Sequence, residues 1–296
     1  MGTAAAEHAD RGHHEPPEAG PTVPRMVLGA QLRRLREADG YSLEEASAAV
    51  SRPEEWISGL ELGRIRLKLR EVADLCAAYG VTDRAACATL LGLARQANVP
   101  GWWAAYQDVI PPWQEPYIGL EQSASVIRMY ETQTVPELLQ TPAYARALLA
   151  GRRPPAATER LVRLRTRRQA ILHRSRPARL WVVIDEAALR RTFGGGPVAF
   201  AQLEHLLDVC DLPHVTIQVV PLELASPPVP GGSFTLLRPP QPELPDVVYL
   251  ERLNGAVYPA EEDAVISYWH VMNWLVVKAA PARATPSILL GLLRDL

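Results

Sequence analysis

The chain has 296 residues, of which 48% are hydrophobic and 22% charged, and its formal net charge is −2. That length suits roughly two globular domains, and the charge balance excludes a chain-wide attraction to nucleic acid or an anionic membrane. Cys76, Cys87 and Cys210 leave an odd thiol and show no metal-ligand spacing, so reduced thiols in a cytoplasm are expected, with no metal and no cofactor.

No apolar run reaches the roughly 18 residues a membrane span needs, and the N-terminus lacks a charged-then-apolar leader. A cytoplasmic protein without a membrane partner is expected. Only Lys68 and Lys278 among the 31 basic residues are lysine; with abundant alanine and proline this composition fits a GC-rich genome such as an actinomycete's.

Residues 1–24 are polar and rich in Ala, Glu, His, Pro and Gly, which predicts a disordered tail. His8, His13 and His14 belong to that tail and read as solvated. Five helices follow in residues 25–97. The first, Met26 to Asp39, lines up Leu28, Leu32 and Leu35. The second starts at Ser42, an N-cap with Glu45 three residues on, and carries Leu43, Ala46 and Val50. Ser51-Arg52-Pro53 breaks it, and Pro53 opens a third helix through Ile57 and Leu60 that Gly63 stops. Lys68 to Tyr79, closed by Gly80, and Asp83 to Ala97 complete the set. The fifth either packs back on the domain or makes a dimer contact. Two short helices joined by a tight turn are the pattern of a helix-turn-helix, whose second helix enters the major groove.

Residues 98–120 hold Trp102, Trp103, Tyr106, Trp113 and Tyr117, five of the chain's nineteen aromatics. A flexible linker would not expose them. The segment reads as a docked connector, either glue between domains or an aromatic wall for a ligand.

The second domain is expected over residues 121–296. Strands are predicted at Ser123–Tyr130, Arg179–Asp185, Val215–Val220, Ser233–Leu237 and Val247–Glu251, with a short one at Ala256–Tyr258. Helices are predicted at Thr158–His173, Pro197–Cys210, Glu261–Lys278 and Thr285–Leu296, with a helical turn at Glu186–Arg191 and a Pro- and Gly-containing loop from Pro221 to Gly232. Strict strand–helix alternation is absent, so the fold class is α+β, an all-α helix-turn-helix domain followed by a mixed α+β domain.

Three constellations could carry chemistry. From Arg25 to Gly80 nine basic residues face nine acidic ones, whereas nucleic-acid modules are usually basic; Arg33, Arg34, Arg64, Arg66, Lys68 and Arg70 could still form a local rim. Ten arginines between Arg152 and Arg179 stand against the single acid Glu159. They suit an anionic ligand or an acidic partner, or else form a solvated face, with Arg168 able to turn inward toward Asp185 or Glu186. Finally, Asp185 and Glu186 end one strand and Tyr249 and Glu251 another. With Tyr130, Arg165 and Arg168 they could line one cleft, or Asp185 and Glu186 could simply cap a helical turn. Gly194-Gly195-Gly196 lacks the Lys and Ser/Thr of a phosphate loop, and no Gly-x-Ser-x-Gly nucleophile motif occurs.

The runs Leu43-x-x-x-Ala46 and Ile57-Ser58-x-Leu60-Glu61-x-Gly63 resemble the lambda-repressor-like, XRE-type DNA-binding domain. Its base-reading positions carry over to Glu54, Glu55 and Gly59, which depart from the usual Gln, Ser, Lys or Arg. The DNA-facing set is then Arg33, Arg52, Glu54, Glu55, Ser58, Arg64, Arg66 and Lys68. Ile127-x-x-Tyr130, Val135-Pro136-x-Leu138-Leu139-Gln140-Thr141-x-x-Tyr144-Ala145, Asp185-Glu186-Ala187-x-Leu189-Arg190, Gln202-Leu203-x-x-Leu206 and Val248-Tyr249-x-Glu251 resemble the C-terminal domain of WhiJ-like actinomycete regulators. The resemblance implies a cytoplasmic regulator acting in differentiation or antibiotic production, often encoded beside a small partner protein. The expected function is a homodimeric helix-turn-helix transcriptional regulator whose second domain senses a small molecule or a partner protein. Its candidate ligand residues are Trp102, Trp103, Trp113, Tyr130, Arg165, Arg168, Asp185, Glu186, Tyr249 and Glu251. The rival readings are an enzyme built on a regulator scaffold, with a degenerate DNA-binding domain and no assigned catalytic residue, and an interaction module docking a neighbour through the arginine helix.

Overall fold

The computed structural model describes residues 20–223, 232–259 and 261–296. The three tail histidines and most of the Pro221–Gly232 loop lie outside the described residues.

The N-terminal unit is five helices, α1 (Thr22–Ala38), α2 (Leu43–Val50), α3 (Glu54–Glu61), α4 (Leu69–Ala78) and α5 (Arg84–Ala97). Helix α1 starts four residues before Met26, because Thr22 and Val23 are buried and Pro24 sits in the first turn, where its missing N–H costs nothing. The capping box of α2 forms in full, Ser42 Oγ accepting from Glu45 N and Glu45 Oε2 from Ser42 N. Ser51 then takes the left-handed conformation (φ 52°), a turn that lets α3 cross α2, and Gly63 (φ 67°) ends the next segment. Leu28, Leu32, Ala46, Ile57, Leu60 and Val72 form the core. Helix α5 packs back on α1 and α4 and buries Leu90 and Ala94 there.

Residues 102–106 form a 3₁₀ turn, followed by α6 (Gln114–Ser123). Strand β1 (Val126–Glu131) therefore begins three residues later than the pattern suggested, since α6 runs through Ser123. The remaining strands are β2 (Arg179–Asp185), β3 (Val215–Val220), β4 (Phe234–Arg238), β5 (Val247–Arg252) and β6 (Gly255–Val257), in the sheet order β3-β2-β1-β4-β5-β6. The first three are parallel, linked through α7 (Pro142–Leu149) with α8 (Pro155–Arg168) and through α9 (Glu186–Arg190) with α10 (Gly196–Cys210). β4, β5 and β6 are antiparallel, and β1 is where the two halves meet. This is a mixed α+β domain.

Strand parity decides which face each residue serves. Ile127, Met129, Val182, Ile184, Leu237 and Tyr249 look toward one core, shared with α6, α7, α8, α10 and α12 (Thr285–Asp295). Tyr130, Val183, Phe234, Leu236, Val248 and Leu250 look to the other, under Met272 and Leu275 of α11 (Glu262–Lys278). Among the described residues no single helix is long and apolar enough to cross a membrane.

The two units pack directly. Helix α1 lies on α6, where Gly119 has no Cβ to collide with Thr22, and Trp103 fills the space left by Gly20, Gly101 and Gly119. Two side chains from the segment after α3 reach across. Arg66 pairs with Glu115 at 2.6 Å, and Arg64 donates to the carbonyl of Tyr258 at 3.1 Å.

Candidate functional site

A cavity of about 380 Å³ opens where β1 and β5 end, on the face covered by α6 and α8. Its floor is a cross-strand row, Met129 opposite Thr235 opposite Tyr249. Tyr117 of α6 stacks on Tyr249 with ring centroids 4.2 Å apart, and Tyr258, just beyond β6, packs on the same ring at 5.2 Å. Each strand continues past that row with a carboxylate on the same face, Glu131 from β1 and Glu251 from β5, and both line the cavity.

Beneath them lies a closed ion network. Arg168, 1% exposed, donates Nε and Nη2 to the two oxygens of Glu121 at 2.7 and 2.6 Å and Nη1 to Glu137. Arg165 pairs with Glu137 at 2.5 Å and donates to Gln140 Oε1 at 2.9 Å. Burial alone would raise the pKa of Glu137, but Arg165 and Arg168 outweigh it and hold the carboxyl at about 2. Burial likewise opposes the charge on Arg168, and Glu121 and Glu137 more than restore it. Two carboxylates and two guanidiniums thus cancel inside this wall.

Glu131 and Glu251 stand outside that network. Among the described residues neither forms a salt bridge. Burial pushes Glu131 up to about 8, assisted by the charges of Glu137 and Glu251 and opposed by a hydrogen bond with Ser233. Glu251, at the mouth, is raised by the protein around it and by Glu137, against the pull of Arg165 and Arg168. The Tyr249 hydroxyl is buried with no hydrogen-bond partner among the described residues, in a residue 5% exposed; burial and then Glu251 raise its pKa strongly.

The helix-turn-helix presents a second, shallower hollow between α2 and α3. Leu43, Ser47, Glu54, Glu55, Ser58, Gly59 and Arg64 line it, so four of the DNA-facing candidates converge. Of its charges two are acidic and one is basic. Arg52 stacks on Trp56 and pairs with Glu71 at 2.8 Å, Arg33 pairs with Glu37 at 2.7 Å, and Lys68 is exposed. Arg36 and Glu61 leave the surface tally altogether. They form a two-point pair at 2.5 and 3.0 Å between α1 and α3, and burial opposes that pairing less than Glu61 favours it at Arg36.

Of the ten ligand candidates, Arg168, Tyr249 and Glu251 line the cavity, and Arg165 stands behind it in the ion network. Tyr130 falls on the α11 face. Asp185 Oδ1 accepts from Ala187 N as the cap of α9, and Glu186 pairs with Arg190 and accepts from Leu222 N. The inward turn of Arg168 is real, but its partners are Glu121 and Glu137, because α6 lies under α8 while Asp185 is spent on its cap. Trp103 is buried in the core, Trp102 carries Arg167 over its ring at 4.5 Å, and Trp113 offers its carbonyl to the Tyr258 hydroxyl at 2.8 Å. Arg160 on Asp108 and Arg174 on Gln122 are also engaged within the chain, whereas Arg152, Arg153, Arg163, Arg176 and Arg179 of the same run are exposed. Tyr117, one of the connector aromatics, lines the cavity, whereas Glu121, Glu131 and Glu137 are cavity or network residues that the pattern of the sequence did not single out. The one available signal was parity, which continues Ile127 and Met129 to Glu131.

The fold and the paired hollows define a helix-turn-helix protein with a C-terminal α+β domain. Residues 27–90 match a helix-turn-helix domain profile. Residues 114–290 match the family described as Domain of unknown function (DUF5753), and the chain belongs to that family. A comparison with curated proteins finds no match.

Proposed function

We propose that this protein is a DNA-binding transcriptional regulator whose C-terminal cavity binds a small molecule and thereby biases the helix-turn-helix. The observation that carries this reading is the hold of the C-terminal domain on the two arginines following α3. Arg64 is bound to the Tyr258 carbonyl and Arg66 to Glu115. Tyr258 packs on Tyr249 in the cavity wall, and Glu115 neighbours Gln114, which also lines it. A ligand that shifts Tyr249 therefore has a contiguous path of packed groups to the DNA-facing arginines. A cavity of about 380 Å³ is of a size for a small molecule rather than a partner protein as the effector. The protein acts in the cytoplasm as a homodimer on two half-sites, and its resemblance to WhiJ-like regulators implies a role in actinomycete differentiation or secondary metabolism.

The test is binding of the full chain to its own promoter, followed by fluorescence anisotropy across a salt series. Specific binding that weakens steeply with salt is expected. No binding even at low salt ends the regulator reading.

A further inference from the structure

We infer that the C-terminal cavity takes a small organic amine, its ammonium group held by Glu131, Glu251 and the hydroxyl of Tyr249. The inference rests on the reading of this cavity as a ligand site and names the ligand's class.

Charge accounting points to the amine. Arg168 and Arg165 are committed to Glu121 and Glu137, so an entering anion finds both of these guanidiniums taken and meets the carboxyl groups of Glu131 and Glu251. Arg252 and Glu251, neighbours at the rim, are both exposed, where solvent weakens their fields, and Glu131 is the half-buried carboxyl of the site. Glu131 and Glu251 have no cationic partner among the described residues, and Tyr249, whose buried hydroxyl has no partner among them, lines the same space. An unpaired half-buried carboxyl such as Glu131 and an orphaned buried hydroxyl are costly unless a partner arrives. An ammonium brings three donors and the missing charge. A bare metal ion fits poorly, because no group of three or more His, Cys, Asp or Glu among the described residues is placed to hold one. The stacked rings of Tyr117 and Tyr249 and the side chain of Met129 offer an apolar wall for the rest of the molecule. The volume, about 380 Å³, falls at the lower end of small-molecule sites.

Titration calorimetry of the full chain tests this, with 2-phenylethylamine and agmatine as amine probes, phenylacetate as anion and 2-phenylethanol as neutral analogue. At least one amine is expected to bind once per chain, with the anion and the alcohol bound at least about tenfold more weakly, the size of one lost charge-assisted contact. Glu131→Gln/Glu251→Gln should weaken the amine by about tenfold or more while the variant's melting temperature holds or rises, since a carboxyl that burial disfavours in its charged form is replaced by a neutral amide. Tyr249→Phe should weaken it less. Absence of binding by both amines at millimolar concentration overturns the inference. So does equal binding of phenylacetate or 2-phenylethanol, unchanged binding by the double variant, or a double variant that melts lower. Promoter binding separates this from the regulator reading: an amine that binds without altering DNA affinity refutes the coupling alone, and DNA binding without amine binding refutes the amine alone.

Discussion

Arg168 lines the cavity and also holds its wall together through ion pairs. It is enclosed by protein and neutralises Glu121, itself 0% exposed, through two hydrogen bonds. Arg168→Met should cost about 3–5 kcal/mol in urea denaturation, because it strands a buried carboxylate rather than removing a pair. Glu137 and Glu131 then predict opposite pH limbs. Glu137 is depressed to about 2 from 4.5, so its stabilisation is complete above pH 4.5 and is lost as pH falls toward 2. Glu131 is raised to about 8 from 4.5, so its contribution is complete below pH 4.5 and is lost as pH climbs through 8. The groups facing it are Glu137, Glu251, Ser233 and, from α7, Tyr144, with Arg165 and Arg168 behind Glu137. Stability of the free protein should therefore decline between pH 4.5 and 8. Glu131→Gln should flatten that decline and leave the acid limb intact, as read from denaturation midpoints along a pH series.

Helices α1 and α3 meet at Gly29, where a Cβ would overlap the carbonyl oxygens of Leu60 and Glu61. Backbone on the far side cannot rotate away as a side chain can, so Gly29→Ala should destabilise the helical domain by about 1–3 kcal/mol, checked by the loss of its helical signal at lower urea. At this scale the sequence was informative wherever the cause was local. Ser42 with Glu45, and Gly63 after Leu60, mark helix ends by their own chemistry, and an apolar run buried on both faces delimits β2 from Arg179 to Asp185. The cavity was less legible. Tyr130 and Tyr249 are equally plausible from pattern, and only the pairing of β1, β4 and β5 puts them on opposite faces. Glu121 and Glu131 resemble surface carboxylates until α6 is laid against α8 and the sheet. Clustered tryptophans announce burial but not purpose, since packing alone tells a core ring such as Trp103 from a cavity wall such as Tyr117.

For the molecule as a whole, the charges of the helix-turn-helix cannot be counted apart from the second domain. Arg36 is consumed by Glu61 inside, Arg33 and Arg52 are paired on the surface, and Arg66 is answered by Glu115 from α6. An acidic reading face made of Glu54 and Glu55 then depends on how many of the neighbouring arginines are free to meet phosphate. The Arg66–Glu115 pair is the most separable of these restraints. Both side chains are substantially solvated, 47% and 31% exposed, so breaking it should change stability by no more than about 1 kcal/mol. Freed by Glu115→Gln, Arg66 can neutralise one further phosphate. Promoter affinity should rise severalfold at low salt, and the logarithmic salt slope should steepen by about 0.9, the release expected for one added contact. Adding Arg66→Gln should return both to the original values or below. A Glu115→Gln variant with the affinity and slope of the original protein would mean that Arg66 faces away from the duplex, and that any influence of the second domain on DNA runs through Arg64 and Tyr258 instead.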